Sequence, residues 1–300
     1  MATKQRSRSR RSGPSRDRSP RYVAPVLDPT WQSPYAPSAA ERAAHAHAVR
    51  AFIFRRKLPQ TIGVGIVVLA LLAGVVVSSW LVVLGVVLGA LYVWDLRRAL
   101  IRFENRASTL APALLETFAS GGTTKDHLRL VTVIDRLAAT FGVDAVTAFI
   151  VEDPTYNAAL VPNAQGYALL VTSATMRDFE LIEIEGVVAH LLARHRLGLL
   201  VRESLSAVSN LSEAARRALA GPGTTYRADE VAAAAIRYPL GIAGALRKCA
   251  HQSPVAASFF TSSAYAQGRF IWFDVWSDRR QPDLSDLDDV QLRALALEEW

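Results

Sequence analysis

The sequence predicts an α+β protein that is mostly helical, has a small sheet, and carries a transmembrane helical hairpin ahead of its soluble domain. Three observations lead to this prediction. The stretch from Thr61 to Trp94 contains no charged residue. Beyond it, several segments place apolar residues at helical spacing. Two short β-prone runs, Val146–Val151 and Tyr167–Val171, lie between turn signals. Many helices with few strands are typical of the α+β class.

Residues 1–40 are rich in Ser, Arg and Pro, and they are predicted to form a disordered tail. Residues 1–22 contain eight basic residues and one acidic residue, Asp17, so the tail accounts for the whole formal net charge of +7. A solvated tail is the first interpretation, and contact with anionic lipid headgroups is the second. Nucleic-acid binding is disfavoured, because no folded basic face with interleaved aromatic residues accompanies the charge.

Residues 41–60 are predicted to form a juxtamembrane amphipathic segment, and residues 61–94 a transmembrane segment. As one helix, those 34 residues would span about 51 Å at roughly 1.5 Å per residue, whereas the bilayer core is about 30 Å thick. Ser78-Ser79-Trp80 near the middle favours a hairpin of two short helices, with one tilted helix as the alternative.

Basic residues on both sides of the stretch favour the hairpin with both ends in the cytoplasm, namely Arg55, Arg56, Lys57, Arg97, Arg98 and Arg102. The expected location is therefore the cell membrane, with the tail and the soluble domain both cytoplasmic. A single crossing would instead put the domain across the membrane from the tail. The one cysteine, Cys249, excludes an intramolecular disulfide and fits a reducing compartment.

Residues 95–300 are predicted to form the soluble domain. Its expected strands are the two β-prone runs, and its expected helices cover residues 96–120, 124–141, 176–208, 226–238, 240–251 and 287–299.

Two segments of this domain resemble the HtpX-like and CAAX-prenyl-protease-like membrane zinc metalloproteases. One is Glu152–Ala159, with its Asp-Pro…Asn-Ala pattern, and the other is the Glu-Gly-Val-Val-Ala-His run at residues 185–190. Weaker matches are Val171-Thr172, at the end of the family's edge strand, and Thr225–Asp229, at a later motif. The resemblance implies a metalloprotease-like (zincin-type) domain behind a membrane hairpin.

The same resemblance implies a zinc site, from which this sequence departs. In the family's H-E-x-x-H sequence, two His at i and i+4 bind zinc and the Glu is the general base. His190 matches the first His, but Leu191 stands at the base position and Arg194 at the second ligand position. Thr225 stands at the third. Since Leu accepts no proton and Arg is a permanent cation, we expect no catalytic residue, no metal ligand and no bound cofactor.

The alternative is an active membrane zinc endopeptidase with displaced ligands, in which His195 replaces the lost histidine. His195 lies at i+5, about 140° around a helix from His190 rather than about 40°, so it would need a π-bulge. Otherwise His190 is expected to be a buried, hydrogen-bonded histidine and His195 to face solvent. A pairing of Asp229 with Arg194 could then fill the former metal cavity.

The end of the chain matches the family's closing helix only at Arg293 and Leu295, because Leu287-Asp288-Asp289 replaces a His-Pro-Pro sequence. The leading hypothesis is a pseudoprotease: an inactive membrane-anchored homologue that serves as a binding, regulatory or structural subunit. Its expected partners are the bilayer and other proteins, including a larger membrane assembly. An extended peptide could add to the predicted edge strand, at candidate cleft residues Tyr167, Leu169, Val171, Thr172 and Asn157.

Overall fold

The computed structural model describes residues 33–73, 78–253, 255–275 and 289–300. Predictions for residues 1–32 of the tail, and for Leu287 and Asp288 of the closing segment, lie outside the described residues.

Two long apolar helices begin the described chain, α1 (Ala39–Ala73) and α2 (Ser79–Arg106). Each is long and apolar enough to cross a membrane, and at most 6% of either apolar window is buried in the fold. The prediction of two helices rather than one is confirmed, although the helices are not short. The predicted amphipathic segment 41–60 is the first part of α1, which continues through Pro59, and α2 likewise continues past Asp95.

The charged ends of α1 and α2 pack on the rest of the protein. Val49 and Ile53 of α1 are buried in one apolar cluster with Leu205 and Leu219. Just before α1, Ser33 is buried and donates to the carbonyl of Thr140. The prediction of disorder is therefore wrong for residues 33–40, because these residues lie against the folded domain.

A three-stranded sheet forms the centre of the domain, with β1 (Val146–Val151), β2 (Ala158–Asn163) and β3 (Gly166–Thr172) in the order β1-β3-β2. Strand β3 pairs parallel with β1 and antiparallel with β2. The predicted edge strand Tyr167–Thr172 is thus the central strand. Its backbone groups already pair on both sides, so no peptide can add to it.

Both faces of the sheet are buried, which follows from the alternation of side chains along a strand. Leu169 and Val171 of β3 face the main core, whereas Ala168 and Leu170 face a second apolar cluster. The sequence does not predict strand β2, because Pro162-Asn163 at its end is a turn signal.

Ten further α-helices complete the described fold beyond α2. The α-helices are α3 (Leu110–Thr117), α4 (Thr124–Phe141), α5 (Ser173–Asp178), α6 (Leu181–Arg196), α7 (Leu199–Val208), α8 (Glu213–Ala220), α9 (Thr224–Ile236), α10 (Pro239–His251), α11 (Ser263–Gly268) and α12 (Val290–Glu298).

The helix predicted over residues 124–141 is confirmed as α4. Thr123 and Asp126 form its capping box, and Gly142 ends it with a left-handed backbone. The helix predicted over residues 176–208 is divided into α5, α6 and α7: the extended backbone of Phe179 and Glu180 separates the first two, and Gly198, with a φ of 64°, separates the last two. Helix α6 therefore ends before that glycine and α7 begins after it.

Candidate functional site

Helix α6 carries the residues that resemble the metalloprotease motif, and it lies in the main core. A capping box between Glu180 and Glu183 fixes its start. Helix α10 approaches it closely at Gly186, where a Cβ atom would lie 2.7 Å from the backbone nitrogen of Ile242. The glycine of the Glu-Gly-Val-Val-Ala-His run is thus required by the packing of two helices.

Helices α6, α9 and α12 each contribute one polar side chain to a buried cluster. The imidazole Nδ1 of His190 lies 2.7 Å from Oδ1 of Asp229 on α9. The same carboxylate accepts two hydrogen bonds from Arg293 on α12, at 2.6 Å from Nε and 3.0 Å from Nη2. The side chains of His190, Asp229 and Arg293 are at most 2% exposed. We call these three residues the buried triad.

Burial sets the charge state of the triad. It lowers the pKa of His190 to about 4, which the attraction of Asp229 only partly offsets. The histidine is therefore neutral at pH 7 and donates its Nδ1 proton to Asp229. Burial opposes ionisation of Asp229, but the Arg293 guanidinium and His190 outweigh it and hold the pKa of Asp229 below its usual value. The triad is thus a buried carboxylate–guanidinium pair with a neutral imidazole attached.

Arg194, one helical turn after His190, is also buried, but it interacts with backbone oxygens. Its Nη1 donates to the carbonyl of Ile271 at 2.7 Å, and its Nη2 donates to the carbonyl of Phe270. Asp229 takes its hydrogen bonds from His190 and Arg293. The predicted pairing of Asp229 with Arg194 is therefore wrong, because Arg293 holds that place.

The other two positions of the implied zinc site hold buried side chains as well. Leu191 is fully buried in the main core, and Thr225 is 1% exposed on α9. Within the residues that the structure describes, no group of three or more His, Cys, Asp or Glu is arranged to hold a metal ion. The Nε2 of His190 has no hydrogen-bond partner among the described residues, but Arg194 brings a permanent cation to the second ligand position and Thr225 replaces the third ligand, so these residues do not fit zinc.

The displaced-ligand arrangement does not form either. Helix α6 is regular α-helix through His190 and His195, so the bulge that would bring both imidazoles together is missing from this described segment. The ring of His190 contacts Phe273, whereas the ring of His195 contacts Tyr167. His195 was predicted to face solvent, but it is half-buried, and this burial lowers its pKa.

Four of the five predicted cleft residues are buried parts of the fold: Asn157, Leu169, Val171 and Thr172. The side chain of Asn157 donates to the carbonyl of Asp274 and accepts from its amide, each at 3.0 Å, so it fastens two chain segments together. Tyr167 is only partly buried and lines a cavity of about 330 Å³ beside α1.

Sequence reasoning missed the segment Phe270–Phe273, whose carbonyl groups complete the site. Phe273 donates its amide to the carbonyl of Ala158 at 2.8 Å, and Trp272 forms an antiparallel bridge with Ala159. This segment therefore lies along the outer side of β2. The run of four apolar residues at positions 270–273 was a signal of burial, but nothing in it pointed to the arginines.

The comparisons with known proteins add no relative: no family model matches this chain, and no curated protein matches it in sequence.

Proposed function

We propose that this protein is a catalytically inactive, membrane-anchored relative of the HtpX-like metalloproteases, and that it serves as a binding or structural subunit. The observation that carries the proposal is the buried triad. Of the positions where the resemblance implies zinc ligands, His190 is joined to the Asp229–Arg293 ion pair, and Arg194 donates to two backbone carbonyls.

Burial of these side chains supports the absence of catalysis. A hydrolytic zinc site needs an open coordination position for water, whereas His190 and Arg194 are 0% and 2% exposed. Opening the site would separate Asp229 from Arg293 and leave a charge uncompensated in the core, at a cost of about 3–5 kcal/mol. The triad thus acts as part of the core.

The anchor in this proposal is the pair α1 and α2. Thr61 and Tyr92 join the two helices through a hydroxyl contact of 2.7 Å, and their apolar windows face outward rather than into the fold. A bilayer is the environment that suits such exposed apolar surfaces. In this arrangement the charged ends of both helices lie on the same side of the bilayer, where the domain packs against them.

The proposed partners are other membrane or membrane-bound proteins. Strand addition at β3 is not part of the proposal, because β3 lies between two strands, and the segment Phe270–Phe273 already lies along β2. Recognition through an exposed side-chain surface is therefore favoured over capture of an extended peptide.

The test is a peptidase assay on the full chain in mild detergent, with an unstructured protein substrate and added zinc. The proposal expects no chelator-sensitive cleavage above that of a His190→Ala variant prepared in the same way. Cleavage that needs zinc and is lost in the His190→Ala variant would refute the inactive assignment. Extraction of membranes with alkaline carbonate tests the anchor separately, since a protein held by two spanning helices stays in the pellet.

A further inference from the structure

A basic cavity of about 400 Å³ lies between α1 and α2, near the point where both helices meet the domain. Four cationic side chains line it, two from each helix: Arg56, Lys57, Arg102 and Arg106. Among the described lining residues, Asp95 brings the one carboxylate. The lining is therefore strongly positive, although the chain outside its first 22 residues is balanced in charge.

The level of this cavity along the helices is fixed by two contacts between α1 and α2. On one side is the hydroxyl pair of Thr61 and Tyr92, and Thr61 is also the first residue of the charge-free stretch. On the other side, the rings of Phe52 and Phe103 stack with their centroids 6.5 Å apart. The nine residue steps from Phe52 to Thr61 span about 13 Å of helix. The cavity thus lies just outside the apolar stretch, at the level of lipid headgroups.

Asp95 does not neutralise the lining. Its oxygen lies 3.6 Å from Nη2 of Arg102, and the two side chains are 59% and 69% exposed. Exposed pairs of this kind are weak, so an anion of higher charge can compete for the arginine. Arginine and lysine together suit a phosphate group, because the guanidinium offers paired donors and the ammonium a point charge.

Ser209 adds a polar residue to this lining. It follows α7 and lines the same cavity, and its Oγ is buried with no hydrogen-bond partner among the described residues. A buried hydroxyl without a partner carries a free-energy cost. A phosphate oxygen in the cavity would accept its proton and remove that cost.

We infer that this cavity binds the phosphate of an anionic phospholipid headgroup. The inference rests on the membrane anchor of the proposed function, since it needs both helices at the bilayer surface. Lipid acyl chains would then run along the exposed apolar faces of α1 and α2. The volume is within the range of about 300–1,000 Å³ that small-molecule sites occupy, and basic cavities between membrane helices on the cytoplasmic side are suited to such headgroups.

The experiment titrates the full chain in mild detergent with short-chain phosphatidic acid, phosphatidylcholine and inorganic phosphate, and it measures binding by calorimetry. Phosphatidic acid should bind at least about tenfold more tightly than the other two, because only it combines a headgroup of net negative charge with acyl chains. Equal binding of inorganic phosphate would refute a lipid as the source, and equal binding of phosphatidylcholine would refute headgroup recognition.

Two variants locate the site. Ser209→Ala changes no charge and should weaken phosphatidic acid binding by roughly threefold to tenfold, as expected for one hydrogen bond. Lys57→Gln with Arg106→Gln should weaken it further. The matched control, Arg55→Gln with Arg97→Gln, also removes one cation from each helix, but at exposed positions outside this cavity.

An equal loss in the control pair would show general electrostatic attraction and overturn the inference, as would wild-type affinity of Ser209→Ala. Failure of the inference is distinguishable from failure of the proposed function. If the protein resists carbonate extraction but binds no lipid selectively, only the proposed lipid site is refuted. If carbonate releases the protein from the membrane, the proposed membrane anchor is refuted.

Discussion

Arg293 forms a bidentate ion pair with Asp229, in which its Nε donates to Oδ2 at 2.6 Å and its Nη2 donates to Oδ1 at 3.0 Å. The third guanidinium nitrogen, Nη1, donates to the carbonyl of Phe273 at 2.9 Å. One side chain of α12 thereby joins α9 to the segment beside β2. Because this ion pair is buried, replacing either residue by a neutral one leaves the charge of the other uncompensated in the core.

Replacement of Asp229 by Asn should therefore destabilise the protein strongly. Arg293 would keep its charge but lose its counter-ion, and breaking a buried pair from one side costs about 3–5 kcal/mol. The measurement is denaturant unfolding of the full chain in detergent, followed by circular dichroism. Asp135→Asn is the matched control, since Asp135 is exposed on α4 and should change stability by less than about 0.5 kcal/mol. Equal effects of the two changes would contradict the role of the triad.

The low pKa of His190 makes stability depend on pH. In the unfolded chain the histidine takes up a proton near its ordinary pKa of 6.5, but in the fold it does so only near 4. Stability is therefore full above pH 6.5 and falls as the pH decreases from 6.5 towards 4, by up to about 3 kcal/mol.

His190→Gln removes this group while keeping an amide donor for Asp229. Burial also lowers the pKa values of His45 and His195, and both residues are kept in the variant. The stability difference between wild type and variant should consequently shrink as the pH falls through the same window. A difference that stays constant from pH 7 to pH 4 would show that His190 does not titrate as the burial requires.

Gly186→Ala should destabilise the contact between α6 and α10. A Cβ atom at this position would lie within 3.0 Å of three backbone atoms of Gly241 and Ile242, which cannot move aside as a side chain can. Forced separation of packed helices costs about 1–3 kcal/mol. Gly63→Ala is the control, because nothing lies within 4 Å of its Cβ position. Thermal unfolding should show a lower midpoint for the first variant only.

Arg194→Met should loosen the segment Phe270–Phe273, because the carbonyls of Phe270 and Ile271 lose a charged donor. Loss of hydrogen bonds to a charged group costs about 1.5–3 kcal/mol. In the wild type, the Phe273 amide donates to the carbonyl of Ala158. Hydrogen-exchange measurements should show that this amide exchanges faster in the variant. Arg136→Met is the control, since Arg136 is 57% exposed in its pair with Glu185. Unchanged exchange of the Phe273 amide in Arg194→Met would contradict this role.

Local patterns predicted the elements whose signals are short-range. Helix α4 and strand β1 begin and end where the sequence indicated, because capping residues and turn residues flank them. Local patterns do not predict the order of the strands in the sheet. Nothing in the residues of β3 distinguishes a central strand from an edge strand when the partner β2 is not recognised.

The site was predicted in part. The burial of His190 follows from its place in an apolar helix, and the need for an arginine beside Asp229 follows from charge balance in a core. Which arginine holds that place depends on how α12 packs against α9, a contact across 64 residues of sequence. Spacing along α6 favoured Arg194, but tertiary packing gave its donors to backbone carbonyls instead.

Metal analysis of the purified full chain tests the account most directly, alongside a Leu191→Glu, Arg194→His variant, with circular dichroism to check both folds. The account predicts less than about 0.1 zinc per wild-type chain, because a structural or catalytic site holds its ion tightly. It also predicts that the variant gains little zinc while Asp229 remains bound to Arg293. Close to one tightly held zinc per wild-type chain, lost on His190→Ala, would contradict the account and establish a metal centre at the buried triad.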